Sequence, residues 1–251
     1  AIDAGLAQLA QAQSPDLIRD FADPVFHGST QDMLGIVTQD SARFNKLAPG
    51  LQDVLEPWLH LRELRRLQGV FTELLDTMDL PESAPQASLL QVMADQDMPD
   101  FTLRDKKALV LVLYGASFNL AHTLGNMAHW LLTQPKDEHS NIADPDWIDR
   151  NFEQLLSTCA SPKYIYRMAR EAATVAGVPL AKNDTLRLQL LSINRGTAVG
   201  NLAFGHGLHR CVGAALSRRV LKSALPRLFQ RFPDITLLPQ QQRYYSMSQT
   251  V

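Results

Sequence analysis

The chain has few cysteines and no concentrated charge. Among its 251 residues the only cysteines are Cys159 and Cys211, far apart in sequence, so we expect no disulfide framework and a reducing compartment, the cytoplasm. The formal net charge is −2 and the basic residues are scattered, so neither nucleic acid nor a membrane surface is expected as a partner. The first residues lack a basic start and an apolar block, so no secretory signal is predicted.

The composition indicates a soluble globular protein that folds as one domain over residues 1–251. Hydrophobic residues make up 45% of the chain and charged residues 20%, which is enough apolar material for a sizeable core. Helical spacing of apolar residues extends over most of the first two thirds. After Tyr164 the residues alternate between apolar and polar around a Gly and Pro turn, which predicts two or three short strands. The predicted fold class is mainly α with a small β-sheet.

A long central helix is predicted from Ala108 to Leu132, because this stretch carries no charged residue. Thr102 and Asp105, three residues apart, have the spacing of a capping box at its start. The helix is long enough to span a membrane. Polar residues interrupt it about once per turn, however, so we interpret it as a buried core helix. The polar segment from Leu80 to Ser88 predicts a loop.

The stretch FGHGLHRCVGAAL, from Phe204 to Leu216, concentrates glycine, histidine and cysteine before a helical run. The dinucleotide pattern G-x-G-x-x-G fails because Arg210 stands where its last glycine is needed. Zinc is disfavoured because the chain offers no second pair of ligands beside His206, His209 and Cys211. A buried structural cysteine after a glycine turn remains an alternative.

This stretch resembles the haem-binding loop of the cytochrome P450 family, F-x-x-G-x-H-x-C-x-G. Every fixed position is filled, by Phe204, Gly207, His209, Cys211 and Gly213. The resemblance implies that Cys211 ligates the iron of haem b. A helix beginning at the cysteine, with Val212 on its apolar face, would favour the thiolate through its dipole.

The resemblance also implies the surroundings of the haem. His209 would reach one propionate, Phe204 would pack beneath the ring near the sulfur, and Gly205 and Gly207 would let the backbone turn tightly. Arg167 would be the second propionate partner, with an ordinary solvated arginine as the alternative. The central helix resembles the one that crosses the distal face in the family.

Several features depart from the family pattern. On the central helix, Phe118 and Asn119 stand where the family has an acidic residue and a threonine that relay protons, so oxygen activation is in doubt. In the E-x-x-R motif, Gln154 and Ser157 replace the glutamate and the arginine. Only eight residues, Gly196 to Ala203, lie where the family has a long meander. The N-terminal portion of the family is also absent, which makes this chain a truncated, divergent P450-like sequence.

The resemblance implies a haem-thiolate oxidoreductase of the monooxygenase class that oxidises or rearranges a small organic substrate, in a biosynthetic pathway. Asn119 and His122, one turn apart, would face that substrate, with satisfied polar groups of a buried helix as the alternative. Its oxidant would be peroxide, or electrons would come from an external donor. We expect a second copy or a partner chain to cover the open distal side. A non-catalytic partner protein and a haem-based sensor or carrier are the alternative functions.

Overall fold

A computed structural model describes residues 1–55, 59–79, 87–196 and 201–238. The helices found there are α1 (Ile2–Gln11), α2 (Asp23–Leu34), α3 (Ser41–Leu47), α4 (Leu61–Thr77), α5 (Leu89–Asp95), α6 (Leu103–Ala116), α7 (Asn119–Leu132), α8 (His139–Ile142), α9 (Pro145–Cys159), α10 (Leu190–Arg195) and α11 (Ala214–Arg231). The strands are β1 (Ile165–Met168), β2 (Ala173–Val175), β3 (Val178–Leu180) and β4 (Thr185–Leu188). The predicted fold class, mainly α with a small β component, is confirmed.

The chain forms two compact units, Ala1–Ala121 and His122–Val251. That the whole chain acts as a single haem domain therefore stays a prediction. Most of the loop predicted from Leu80 to Ser88 lies outside the described residues.

In the first unit, α2, α4 and α5 pack against α6. The capping box predicted at the start of α6 is confirmed: Asp105 N–H donates to the Thr102 hydroxyl at 3.2 Å, and Thr102 N–H donates to the Asp105 carboxylate at 2.9 Å. These bonds satisfy two backbone donors that the first helical turn leaves free. The hydrogen bonds from Thr102 also lower the pKa of the Asp105 carboxyl.

The helix predicted from Ala108 to Leu132 is interrupted at Ser117 and Phe118, which form a turn between α6 and α7. The Ser117 hydroxyl donates to the Leu113 carbonyl at 2.7 Å, and Ser117 N–H donates to the Tyr114 carbonyl at 3.0 Å. A serine side chain that bonds the preceding turn competes with the helical ladder and bends it.

The stretch Leu103–Leu132 is long enough and apolar enough to cross a membrane. Its most apolar 18-residue window has a mean hydropathy of 1.4, and 56% of that window is buried inside the protein. A helix in the core of a protein can have the same length and hydropathy, so these two properties are weak evidence for a membrane span.

A buried aromatic cluster joins α2 to α6 in the first unit. The Phe26 ring lies 5.4 Å from that of Tyr114 and 4.7 Å from that of Phe118, centroid to centroid. Within the cluster His27 Nδ1 and the Tyr114 hydroxyl are hydrogen-bonded. Burial lowers the pKa of His27 to about 4 and raises that of Tyr114. The imidazole is therefore neutral at pH 7, and the hydroxyl donates to its Nδ1.

We expect Tyr114→Phe to lower the free energy of opening of α2 by about 1–3 kcal/mol, because it leaves His27 Nδ1 without its donor in a half-buried site. The double variant His27→Leu with Tyr114→Phe should lose less than the sum of the two single variants, since both polar partners then disappear together. Hydrogen exchange of the α2 amides measures these energies. If the energy lost in the double variant equals the sum of the losses in the two single variants, the hydrogen bond between His27 and Tyr114 contributes nothing to the stability of α2.

The second unit is built around two helices, α9 and α11, which pack against each other. α8 also contacts α11, and α10 contacts α9. Phe152 on α9 and Phe229 on α11 are each 1% exposed. The helical spacing of the apolar residues on α9 places Ile148, Phe152, Leu155 and Leu156 on its buried face, as expected for an amphipathic helix.

The strands of the second unit form two antiparallel pairs, one more strand than the upper limit predicted. β1 pairs with β4, with Ile165 opposite Leu188, and the β2–β3 hairpin is inserted between them in sequence. Ala176 and Gly177, at the tip of that hairpin, both have positive φ, 50° and 80°. Two residues in this conformation suit a tight two-residue hairpin turn.

Candidate functional site

The cysteine loop, Phe204 to Gly213, is closed by a backbone hydrogen bond between its two ends. Cys211 N–H donates to the Phe204 carbonyl at 2.8 Å. Inside the loop, Arg210 N–H donates to the Gly207 carbonyl at 3.1 Å. These bonds hold the backbone on the N-terminal side of Cys211, so the direction of the thiol is set by the loop and not by packing around it.

Two of the loop's glycines are required by conformation. Gly205 and Gly207 have φ values of 70° and 65°, a region that other residues adopt only at a cost. At Gly205 a β-carbon would also lie 3.1 Å from the His209 carbonyl oxygen, whereas at Gly207 it would meet open space. At Gly213 a β-carbon would lie 3.7 Å from Cys211 Sγ, so any larger side chain there would rest against the sulfur.

The two cysteines lie in opposite environments. Cys211 is exposed, and its loop neighbours Leu208 and Val212 are 96% and 84% exposed within the described structure. Cys159 is buried in α9, and burial raises the pKa of its thiol to about 12. Cys159 is therefore a packing residue with an inert thiol, while Cys211 is exposed on a loop that also exposes two apolar side chains, where it can act as a ligand.

The helix that follows the loop starts later than predicted. It begins at Ala214 with Gly213 as its N-cap, and Ser217 N–H donates to the Gly213 carbonyl at 2.9 Å. Cys211 thus precedes the helix, and the placement of Val212 on the buried face is wrong. The cause is that the chain between Cys211 and Gly213 forms a turn, which directs the Val212 side chain outward.

The predicted propionate partners are both exposed. His209 ends the short helical turn Gly207–His209 of the loop. Arg167 lies on β1, and its Nη1 donates to the Tyr166 carbonyl at 2.7 Å. The ring of Phe204 faces the Arg218 guanidinium at 5.2 Å. The haem-directed roles of these residues stay predictions.

The predicted substrate-facing residues both lie on α7. Asn119 is the first residue of the helix and is half-buried. His122, one turn later, is also half-buried, and its Nδ1 is buried with no hydrogen-bond partner among the described residues. Burial lowers the pKa of His122. The imidazole is therefore neutral, with one ring nitrogen free to bond a polar group.

The connection that enters the cysteine loop is held by side chains that sequence reasoning missed. Asn194 is buried, and its Oδ1 accepts a hydrogen bond from Leu202 N–H at 2.7 Å. Asn201 Nδ2 donates to the Glu153 carbonyl at 3.2 Å. In the sequence Asn194 simply precedes Arg195, with no indication of a structural role. No local pattern in the sequence indicated that the Asn194 side chain accepts a hydrogen bond from the backbone of Leu202, eight residues later.

An ion pair links α9 to α11 beside this connection. The Glu153 carboxylate accepts hydrogen bonds from both terminal nitrogens of Arg218. Gln154, one residue later, is exposed, and its carbonyl accepts from the Ser157 hydroxyl at 2.9 Å within the same helix. One feature of the sequence could have indicated this ion pair: Glu153 directly precedes Gln154, which stands in place of the glutamate of the E-x-x-R motif.

The residues around Cys211 fit a metal that needs only one protein ligand. Among the described residues, no three His, Cys, Asp or Glu side chains come together to hold a bare metal ion. A haem iron already has four ring nitrogens, so a single thiolate suffices. The exposed thiol, next to the exposed Val212 on a tightly turned backbone, meets that requirement.

No protein-family model matches the chain. Cytochrome P450 FAS1 of Rhodococcoides fascians is 28% identical over 256 residues, which cover 95% of this chain and 63% of that protein. The vitamin D(3) 25-hydroxylase of Pseudonocardia autotrophica is 27% identical over 252 residues, covering 94% and 62% of the two chains. This chain therefore spans less than two thirds of the length of these curated relatives.

The fold has close counterparts among solved structures. The structure of P450 RauA, in complex with a biosynthetic intermediate of aurachin RE, superposes with a TM-score of 0.81 at 20% sequence identity. The match covers 98% of this chain and 66% of that one. At this level of identity the likeness establishes the fold alone.

Proposed function

Since this chain is a divergent relative of the cytochrome P450s and has their fold, we propose that it is a haem-thiolate oxidoreductase. In this proposal Cys211 ligates the iron of haem b. The observation that carries it is the cysteine loop: a hydrogen-bonded turn with two glycines of positive φ presents an exposed thiol beside the exposed side chains of Leu208 and Val212. Structural cysteines are more commonly buried, as Cys159 is.

The loop would serve the thiolate in two ways. Cys211 lies just before the N-terminus of α11, where the helix dipole and free N–H groups favour negative charge. Gly213 leaves the space beside the sulfur clear of side-chain atoms. His209 and Arg167 would bind the haem propionates, for which a guanidinium and an imidazole supply donors. When bound, haem supplies the iron at which the oxidant reacts.

On the substrate side we assign roles to two residues of α7. Asn119 and His122 would present an amide and a neutral imidazole to a small organic substrate, and the free Nδ1 of His122 supports this assignment. Phe118, in the position of the family's acidic residue, has no proton to give. This favours peroxide as the oxidant, or a rearrangement, over dioxygen cleavage with electrons from an external donor. A biosynthetic pathway is the proposed setting of this reaction; P450 RauA, whose fold this chain shares, is bound to a biosynthetic intermediate in its structure.

The absorption spectrum of the purified full chain, supplied with haem, reduced and exposed to carbon monoxide, tests the proposal. We expect a strongly red-shifted Soret band, because a thiolate pushes electron density onto the iron. An unshifted band would show ligation by another group and overturn the assignment of Cys211. A chain that takes up no haem would overturn the oxidoreductase itself.

A second candidate function is a non-catalytic partner of another enzyme. One observation favours it: Phe118 and Asn119 stand where the family has the acidic residue and the threonine of its proton relay. In that case a partner chain or second copy would be required for function and haem would not. Haem content therefore separates the two candidates.

A further inference from the structure

The cysteine loop has no E-x-x-R pair to hold it, yet its first residue contacts Arg218 of α11, and Asn201, just before the loop, contacts Glu153 of α9. We propose that Arg218 is a positioning residue that ties this end of the loop to α9, together with Glu153 and Asn201. We call these three residues the loop clamp. This inference rests on the proposed haem site, since its purpose is to aim the Cys211 thiol.

The charged part of the clamp joins three segments of the second unit. Arg218 on α11 holds both oxygens of the Glu153 carboxylate on α9, with its Nη2 at 3.2 Å from Oε2. Asn201, in the connection that enters the loop, donates from Nδ2 to the Glu153 backbone carbonyl at 3.2 Å and lies 3.4 Å from its carboxylate. A bidentate arginine–carboxylate contact fixes orientation as well as distance. The hydrogen bond from Arg218 is the main cause of the lowered pKa of Glu153.

The guanidinium of Arg218 also contacts the loop itself. It lies 5.2 Å from the centroid of the Phe204 ring and 5.6 Å from that of Phe152. Cations are attracted to ring faces at such distances. The Phe204 carbonyl in turn accepts the hydrogen bond from Cys211 N–H. A continuous series of contacts therefore leads from Glu153 to the backbone of the cysteine.

Lys222 provides a matched control on the same face of the two helices. It is one turn beyond Arg218 on α11, pairs with Asp149 at 2.8 Å, and lies 5.0 Å from the Phe152 ring. Like Arg218, it therefore joins α11 to α9 through an ion pair and an aromatic contact. In the described structure it makes no cation–π contact with Phe204, so its removal weakens the helix pair and reaches the loop only through its electrostatic interaction with Glu153.

The test compares Arg218→Gln with Lys222→Gln in the full chain, with and without haem. In the haem-free chain we expect Arg218→Gln to speed hydrogen exchange at Cys211 N–H about threefold to fivefold, because it removes an exposed ion pair together with the contact to the Phe204 ring. Lys222→Gln should change this rate less than about twofold: its ion pair is exposed to a similar degree, but the described structure shows no contact between Lys222 and the Phe204 ring. Arg218→Lys keeps the positive charge but cannot form the two hydrogen bonds of a guanidinium, so its exchange rate at Cys211 N–H should lie between those of the wild-type chain and Arg218→Gln.

With haem bound, Arg218→Gln should lower the fraction of the carbon-monoxide complex that shows the red-shifted band, while Lys222→Gln retains it. Equal exchange rates at Cys211 in these two variants would overturn the clamp, whatever the haem content. If the wild-type chain binds no haem, the proposed function fails, but the exchange rates at Cys211 still show whether Arg218 holds the loop. Should Arg218→Gln fail to fold, as judged by circular dichroism, Glu153→Gln makes the same comparison from the other partner.

Discussion

We expect Cys211→Ser to abolish the red-shifted Soret band that the proposed function predicts for the reduced, carbon-monoxide-bound protein. A serine hydroxyl remains protonated at neutral pH and cannot push electron density onto iron as a thiolate does. Because Cys211 is exposed and contributes no core packing, the substitution should leave the folded structure intact. We expect complete loss of the band, with circular dichroism unchanged, when the variant and the wild-type protein are compared under the same conditions.

The chain contains its own control for this experiment in its second cysteine. Cys159→Ser should keep the red-shifted band and cost stability only, about 1 kcal/mol, because a hydroxyl replaces a buried thiol. In the haem-free protein an alkylating reagent should modify Cys211 much faster than Cys159, whose pKa is raised to about 12 by burial. Retention of the band in Cys211→Ser, or its loss in Cys159→Ser, would contradict the assignment.

Phe152→Ala is the substitution with the largest expected effect on stability. The ring is 1% exposed and packs between α9 and α11, so its removal leaves a cavity that costs about 3–5 kcal/mol. It also removes the aromatic surface beneath Arg218 and Lys222. The two compact units make a single unfolding energy ill-defined, so hydrogen exchange of the α9 and α11 amides is the appropriate measurement.

Phe152→Leu separates the two contributions of this ring. Leucine fills much of the volume but has no ring face for the cations, so we expect a loss of about 1–2 kcal/mol. A cost below about 1 kcal/mol for Phe152→Ala would show that the α9–α11 interface collapses around the gap and that the ring is not a main support of the second unit.

Local signals in the sequence were sufficient for much of the fold. The capping box of Thr102 and Asp105 located the start of α6, and the helical class followed from apolar periodicity. The break at Ser117 was missed because its cause is a side-chain hydrogen bond to the previous turn, which many serines within helices also make without ending the helix. Val212 was misplaced because the motif shows that a helix follows the cysteine but not how many turn residues intervene.

The resemblance to the cytochrome P450s and the candidate ligand came from the sequence alone, since the haem-loop pattern lies within ten consecutive residues. Its glycines indicate where the backbone needs a positive φ. Only the tertiary structure revealed what holds that loop. Glu153 and Arg218 are 65 residues apart, and each by itself is indistinguishable from an ordinary charged residue on a helix surface. Contacts between distant segments depend on how helices pack, and helix packing leaves no local pattern by which two such residues can be paired.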